Sequence, residues 1–183
     1  METVQKFGKD VNFKILRLTA DNEHIIGGFE CGENGIDLSL YLHEEAARDN
    51  ECVTYVFVTP ENNTIAYASI SCTSLVTGNA DGTISKNIPA VLIDKFAVAS
   101  EYQHMKYDEE SEDKLSEYIL FAILHRIFII MERIIGAKYV ILYSTENAIH
   151  FYERCGFLHF EEFMQKPNDP YIENCTAMYL QAF

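Results

Sequence analysis

At 183 residues, with 48% of them apolar and 13% aromatic, the chain has the length for one domain spanning residues 1–183 and enough material for a sizeable core, which excludes a disordered chain. The 14 Lys and Arg stand against 28 Asp and Glu, a formal net charge of -14, and the basic residues are scattered. Charge of that sign repels phosphate backbones, so broad nucleic-acid binding is disfavoured; it suits a cationic substrate or a basic partner, or serves solubility alone.

In chain order, Phe13 to Leu18 alternates apolar and basic residues and predicts a half-buried strand. Asn22 to Gly28 reads as a connector. After Phe29-Glu30-Cys31-Gly32, the apolar positions Ile36, Leu38, Leu40, Tyr41, Leu42, Ala46 and Ala47 predict a helix. Thr54 to Thr59 is β-branched and aromatic and predicts a strand. Pro60-Glu61-Asn62-Asn63 is a turn by composition, and Thr64 to Leu75 completes a hairpin. Val76 to Ile88 reads as a polar loop, and Val91 to Val98 as a central strand of nearly continuous apolar character.

Glu101 to Asp113 is a charged loop whose acids Asp108, Glu109, Glu110, Glu112 and Asp113 lead into a long helix from about Asp113 to Ile135. Gly136 ends that helix. Tyr139 to Tyr143 predicts a strand, Glu146 to Cys155 a helix, Phe157 to Phe163 a strand, and Cys175 to Phe183 a last strand. Helices interleaved with strands in this mixed order predict a three-layer α/β domain.

The five cysteines, Cys31, Cys52, Cys72, Cys155 and Cys175, have no short metal or redox spacing. Cys52 and Cys72 lie in apolar strand-like runs, where a reduced cysteine behaves as a small hydrophobe. The expectation is a reducing, cytoplasmic setting. No secretory h-region opens the chain. The apolar helix from Tyr118 to Ile135 is interrupted by His125, Arg126, Glu132 and Arg133, so it is read as a core helix and not a membrane span. His125 is expected to be a partly buried packing residue. The histidines show no metal-ligand spacing.

The run Ala148-Ile149-His150-Phe151-Tyr152-Glu153-Arg154-Cys155-Gly156-Phe157 reads as a short helix closed by glycine between two strands. It resembles a hallmark of the GCN5-related N-acetyltransferases. Phe29-Glu30-Cys31-Gly32 with Asp37 to Leu42, Ile88 to Val98, and Ile134-Ile135-Gly136-Ala137-Lys138 are each similar to segments of the bacterial branch of that family containing tRNA-acetylating toxins. The resemblance covers residues 13–183 and implies a three-layer α/β/α domain around a mixed, mostly antiparallel sheet. It implies acetyl-CoA as donor and an amine of unknown class as acceptor, the amine attacking the thioester directly in a ternary complex. Tyr152 becomes the general acid to the departing thiolate; without the resemblance it reads as a core aromatic beside Phe151. The backbone of Phe96, Ala97 and Val98 would carry the pantetheine arm, with Gln103, His104, Lys106 and Thr145 as further donor contacts. Thr145 is also the expected cap of its helix, with Asn147 on the helix surface. Asp94, Glu101 and Glu30 are carboxylates available as base or amine anchor, without supporting spacing.

Family members follow the central strand with Gln/Arg-x-x-Gly-x-Gly/Ala, whose amides hold the CoA pyrophosphate. Here Tyr102-Gln103 matches the start, and no glycine stands between Gln103 and Gly136. An N-acetyltransferase is therefore read beside two alternatives. One is a binding or regulatory module on the same fold that does not use CoA and acts through a partner or as a homodimer. The other is an acyltransferase with an unusual donor.

Overall fold

The computed structural model describes residues 5–7, 11–32, 52–79, 83–107 and 112–182. The helix expected around residues 36–47, with Tyr41 and Leu42, and the acids Asp108, Glu109 and Glu110 lie outside them. The chain forms two compact units: Met1–Ile70 with Lys95–Ile123, and Ser71–Asp94 with Leu124–Phe183.

The first unit contains β1 (Gln5–Phe7), β2 (Val11–Arg17), β3 (Val53–Val58) and the opening half of β4 (Thr64–Gly78), paired antiparallel in that order. Register runs from Lys14↔Val58 to Arg17↔Tyr55, and from Val53↔Ile70 to Phe57↔Ala66. The turn Thr59 to Asn63 closes the β3–β4 hairpin through bonds from Thr59 N to Asn63 O (2.9 Å) and Asn62 N to Thr59 O (3.0 Å). Asn62 takes φ 66 there, a left-handed conformation that asparagine tolerates. The unit also holds the end of β5 (Ile84–Val98) and the start of α1 (Leu115–Ile130). Its core includes Ile26, Phe29, Val56, Val58 and Tyr67, with Phe29 edge-on to Tyr67 at 5.3 Å.

The second unit contains the closing half of β4, the opening half of β5, β6 (Tyr139–Ser144), β7 (Leu158–His159), β8 (Met164–Gln165) and β9 (Thr176–Gln181). β5 and β6 are parallel, while β9 pairs antiparallel with both β6 and β7, and β8 with β4. The sheet is thus mixed and mostly antiparallel, as expected. A single π-type turn, Met131–Ile135, follows α1 and ends at Gly136, whose φ of 61 closes the helix as anticipated. The helix α2 (Ile149–Arg154) follows a 3-10 turn, Glu146–Ala148. Leu75, Ala90, Tyr139, Ile141, Met164 and Tyr179 form the core.

Several expectations are corrected. Asn22 to Gly28 is not a plain connector: Ala20–Ile26 is a 3-10 helix. Asn22 Oδ1 accepts from Thr19 N (2.8 Å) and its Nδ2 donates to Arg17 O (2.9 Å), so a polar side chain fastens the turn while Ile25 and Ile26 are buried. The polar loop Val76 to Ile88 is largely strand. β4 runs on to Gly78 and β5 begins at Ile84, the two being neighbours in the sheet, and β8 pairs with β4 at Val76↔Gln165 and Thr77↔Met164. A Cβ at Gly78 would have to displace the amide end of the Gln165 side chain. The strand Phe157 to Phe163 shrinks to Leu158–His159, since Glu161 turns to accept from Tyr179 Oη (2.9 Å) and Met164 N (2.8 Å, at its carbonyl). His125 is exposed, on the outer side of α1, and Cys72 is exposed on β4.

Candidate active site

At the end of β5, the chain is fastened by one side chain. Gln103 Nε2 donates to Val98 O (2.9 Å) and to Cys31 O (2.8 Å). Ser100 N adds a bond to Glu30 O (3.0 Å). The segment Phe29-Glu30-Cys31-Gly32 is thereby tied to the turn after β5. The Gln103 amide is used as a structural staple. Tyr102 lies beside it, with its phenol pushed up by desolvation and then by Glu101 and Glu61. His104 and Lys106 are exposed, as are Glu30 and Glu101.

The glycine-free loop has a defined stem. Lys106 and Lys114 face each other in an antiparallel bridge. It is framed by bonds from Tyr107 N to Asp113 O (3.0 Å) and from Leu115 N to Met105 O (2.9 Å). Tyr107 stacks on Tyr118 of α1, ring centroids 3.5 Å apart and planes at 13°. Tyr118 Oη also donates to Asp113 Oδ2 (3.3 Å). The acids of this loop were expected to favour the helix start by charge alone. A different acid does so by direct contact: Glu117, 5% exposed, accepts from Lys114 N through Oε2 (2.9 Å), and Glu117 N donates to Lys114 O (3.0 Å). This is the reciprocal half of a capping box. Sequence reasoning missed it because lysine, not serine or threonine, holds the cap position.

The β5–β6 ladder runs from Ala90↔Tyr139 to Ile93↔Leu142 and stops, although β5 continues to Val98 and β6 to Ser144. Beyond that point, among the described residues, Tyr143 and Ser144 pair with β9 and not with β5. The side chains of Ala97 and Val98 are buried, while Asp94 is exposed.

In the second unit, α2 buries Tyr152 at 8% exposure. Its ring meets Phe151 edge-on at 5.1 Å and Phe157 at 5.7 Å. Phe157 N donates to Tyr152 O (3.0 Å), and Gly156, at φ 91, makes the return possible. Desolvation raises the phenol far above its ordinary range, with a smaller push from Cys155. Among the described residues no hydrogen bond reaches its hydroxyl. A buried phenol normally finds a partner, so this hydroxyl is an exception among buried polar groups. Thr145 stands at the cap position of the 3-10 turn, but its side chain makes no cap bond; instead its carbonyl accepts from Ser144 Oγ (2.8 Å) and Ala148 N (3.1 Å). Asn147 is exposed and Cys155 buried, as expected. On the surface of α2, Glu153 bonds both His150 Nδ1 and His159 Nε2 at 2.9 Å. Among the described residues no group of three or more His, Cys, Asp or Glu could hold a metal ion, and no helix is long and apolar enough to cross a membrane.

The structure of AtaT complexed with acetyl-methionyl-tRNAfMet is similar at TM-score 0.67 and 20% identity, over 92% of this chain and 94% of that one. AtaTR bound with AcCoA is similar at TM-score 0.68 and 19% identity, over 93% and 94%. A KacTA–DNA complex is similar at TM-score 0.69 and 16% identity, over 93% of both chains. The chain therefore has the GCN5-related N-acetyltransferase fold of these toxin acetyltransferases. No family model matches the sequence, and no curated protein matches it.

Proposed function

We propose that this protein is an N-acetyltransferase that moves an acetyl group from a CoA thioester to an amine by direct attack in a ternary complex. The observation that carries the reading is Tyr152, a buried phenol without a hydrogen bond among the described residues, on the fold of proteins solved with acetyl-CoA and an acetylated aminoacyl-tRNA. The amine nitrogen bonds to the acyl carbon and the carbon–sulfur bond breaks. The sulfur leaves as a thiolate and is met by the Tyr152 proton.

Free thiol and phenol differ by about 1.5 pKa units (~8.5 against ~10), so full transfer in water is uphill by about 2 kcal/mol. Burial raises the Tyr152 phenol further. Its contribution is thus a hydrogen bond to developing negative charge in a dry site, with the net proton coming from the amine. The pantetheine arm is proposed to lie along the backbone of Phe96, Ala97 and Val98, with Gln103, His104 and Lys106 as further donor contacts of the same unit and Thr145 as a donor contact carried by the other. The diphosphate end of the donor does not suit this chain, because the loop lacks glycine and the first amides of α1 are already bonded.

That misfit favours a second reading, a binding module on this fold that uses no donor. The deciding experiment incubates the purified chain with radiolabelled acetyl-CoA and separate panels of polyamines, peptides with free N-termini and aminoacyl-tRNA. Transfer by the wild type, lost in Tyr152→Phe, supports the enzyme. Failure to transfer to any panel, together with no donor binding by calorimetry, selects the second reading. The charge of -14 supports a cationic amine over tRNA as acceptor.

A further inference from the structure

A helix N-terminus attracts phosphate because its first N–H groups have no intrahelical partner and its dipole points at the anion. In this chain the N-terminus of α1 is closed from within. Lys114 N donates to the Glu117 carboxylate (2.9 Å), Leu115 N to Met105 O (2.9 Å) and Glu117 N to Lys114 O (3.0 Å). Of the amides from Lys114 to Glu117, only Ser116 is not among these donors. Opening the cradle would mean breaking the Met105–Leu115 bond, which belongs to the loop stem, and parting the Tyr107–Tyr118 stack. Moreover, Glu117 is buried at that helix end, so a diphosphate seated there would meet a carboxylate.

We infer that the protein reads its donor through the pantetheine–thioester arm and not through the CoA diphosphate, and that Glu117 is the residue that sets this preference. The inference rests on the N-acetyltransferase reading. Its donor class is acyl-pantetheine thioesters, with or without the nucleotide. The chemistry balances without the nucleotide: the amine gains the acyl carbon and loses a proton, and the pantetheine sulfur loses the acyl carbon and gains one.

The test is calorimetric titration of the full chain with CoA and with pantetheine. The two should bind within about tenfold of each other, and millimolar inorganic diphosphate should not displace CoA. In Glu117→Gln, which keeps an acceptor for Lys114 N and removes the charge, CoA should tighten by about threefold while pantetheine stays unchanged. A general structural loss would weaken both ligands, so their ratio isolates the charge. If Glu117→Gln does not fold, the wild-type comparison and the diphosphate competition still decide. A CoA preference beyond tenfold, or displacement by diphosphate, overturns the inference and leaves the acetyltransferase reading standing. Binding of neither ligand at millimolar concentration overturns both.

Discussion

Tyr152→Phe separates catalysis from stability, because the hydroxyl it removes has no hydrogen bond among the described residues. A buried hydroxyl without a partner costs about 1–3 kcal/mol of desolvation. Phenylalanine keeps the edge contacts to Phe151 at 5.1 Å and Phe157 at 5.7 Å. The variant should therefore be more stable than the wild type, by about 1 kcal/mol, or about 3 °C in Tm for a chain of this size. The chain has no tryptophan, so urea unfolding is best followed by far-UV circular dichroism. Turnover of an active enzyme should fall by about 10²–10³.

The pH dependence adds a second axis. The folded phenol holds its proton above the ordinary value of 10.0. Above that pH the unfolded chain ionises while the folded one does not, so stability is lost as pH rises, by up to about 1.4 kcal/mol per pH unit. Tyr152→Phe should remove that part of the alkaline slope and leave the curve below pH ~9 parallel to the wild type. A variant destabilised by more than about 1 kcal/mol at neutral pH would refute the reasoning, since it would mean that the hydroxyl is bonded in the folded state.

Gln103→Glu should destabilise more than Gln103→Ala, because it turns a donor into an acceptor facing the carbonyls of Cys31 and Val98; Gln103→Ala itself should cost about 1–3 kcal/mol in urea unfolding. Glu153 is held below its ordinary value, mainly by hydrogen bonds from His159 and then His150. Its contribution is present above pH 4.5 and lost as pH falls through the lowered value, so Glu153→Gln should flatten the acid side of a Tm–pH profile. Gly136→Ala meets no atom within 4 Å, yet it forces an alanine to φ 61. It should cost about 1 kcal/mol from backbone strain alone, read as a urea midpoint shift at constant slope.

Much of the scaffold was legible in local sequence. Pro60 to Asn63 marked the β3–β4 hairpin, Gly136 the end of the long helix, and Gly156 the return after α2. These features are local: a turn residue or a left-handed glycine acts within a few residues of itself. Tyr152 was singled out only through the resemblance of its segment to the acetyltransferase hallmark; its spacing to Gly156 and Phe157 by itself reads as a core aromatic. Its burial and the state of its hydroxyl belong to packing that spacing cannot report.

What only the tertiary structure decided is where distant partners meet. At Val76 and Thr77, β4 takes β8 as a partner from far along the chain, where the composition reads as loop. The side chain of Gln103 spans to a carbonyl 72 residues away, a partner that no local pattern announces. Glu117 closes the end of α1 under a lysine cap that no capping pattern announces. Local propensity and glycine geometry are carried by neighbouring residues. The bonding of each amide depends on which carbonyl or carboxylate the fold brings within 3 Å of it, and that is written in no single segment.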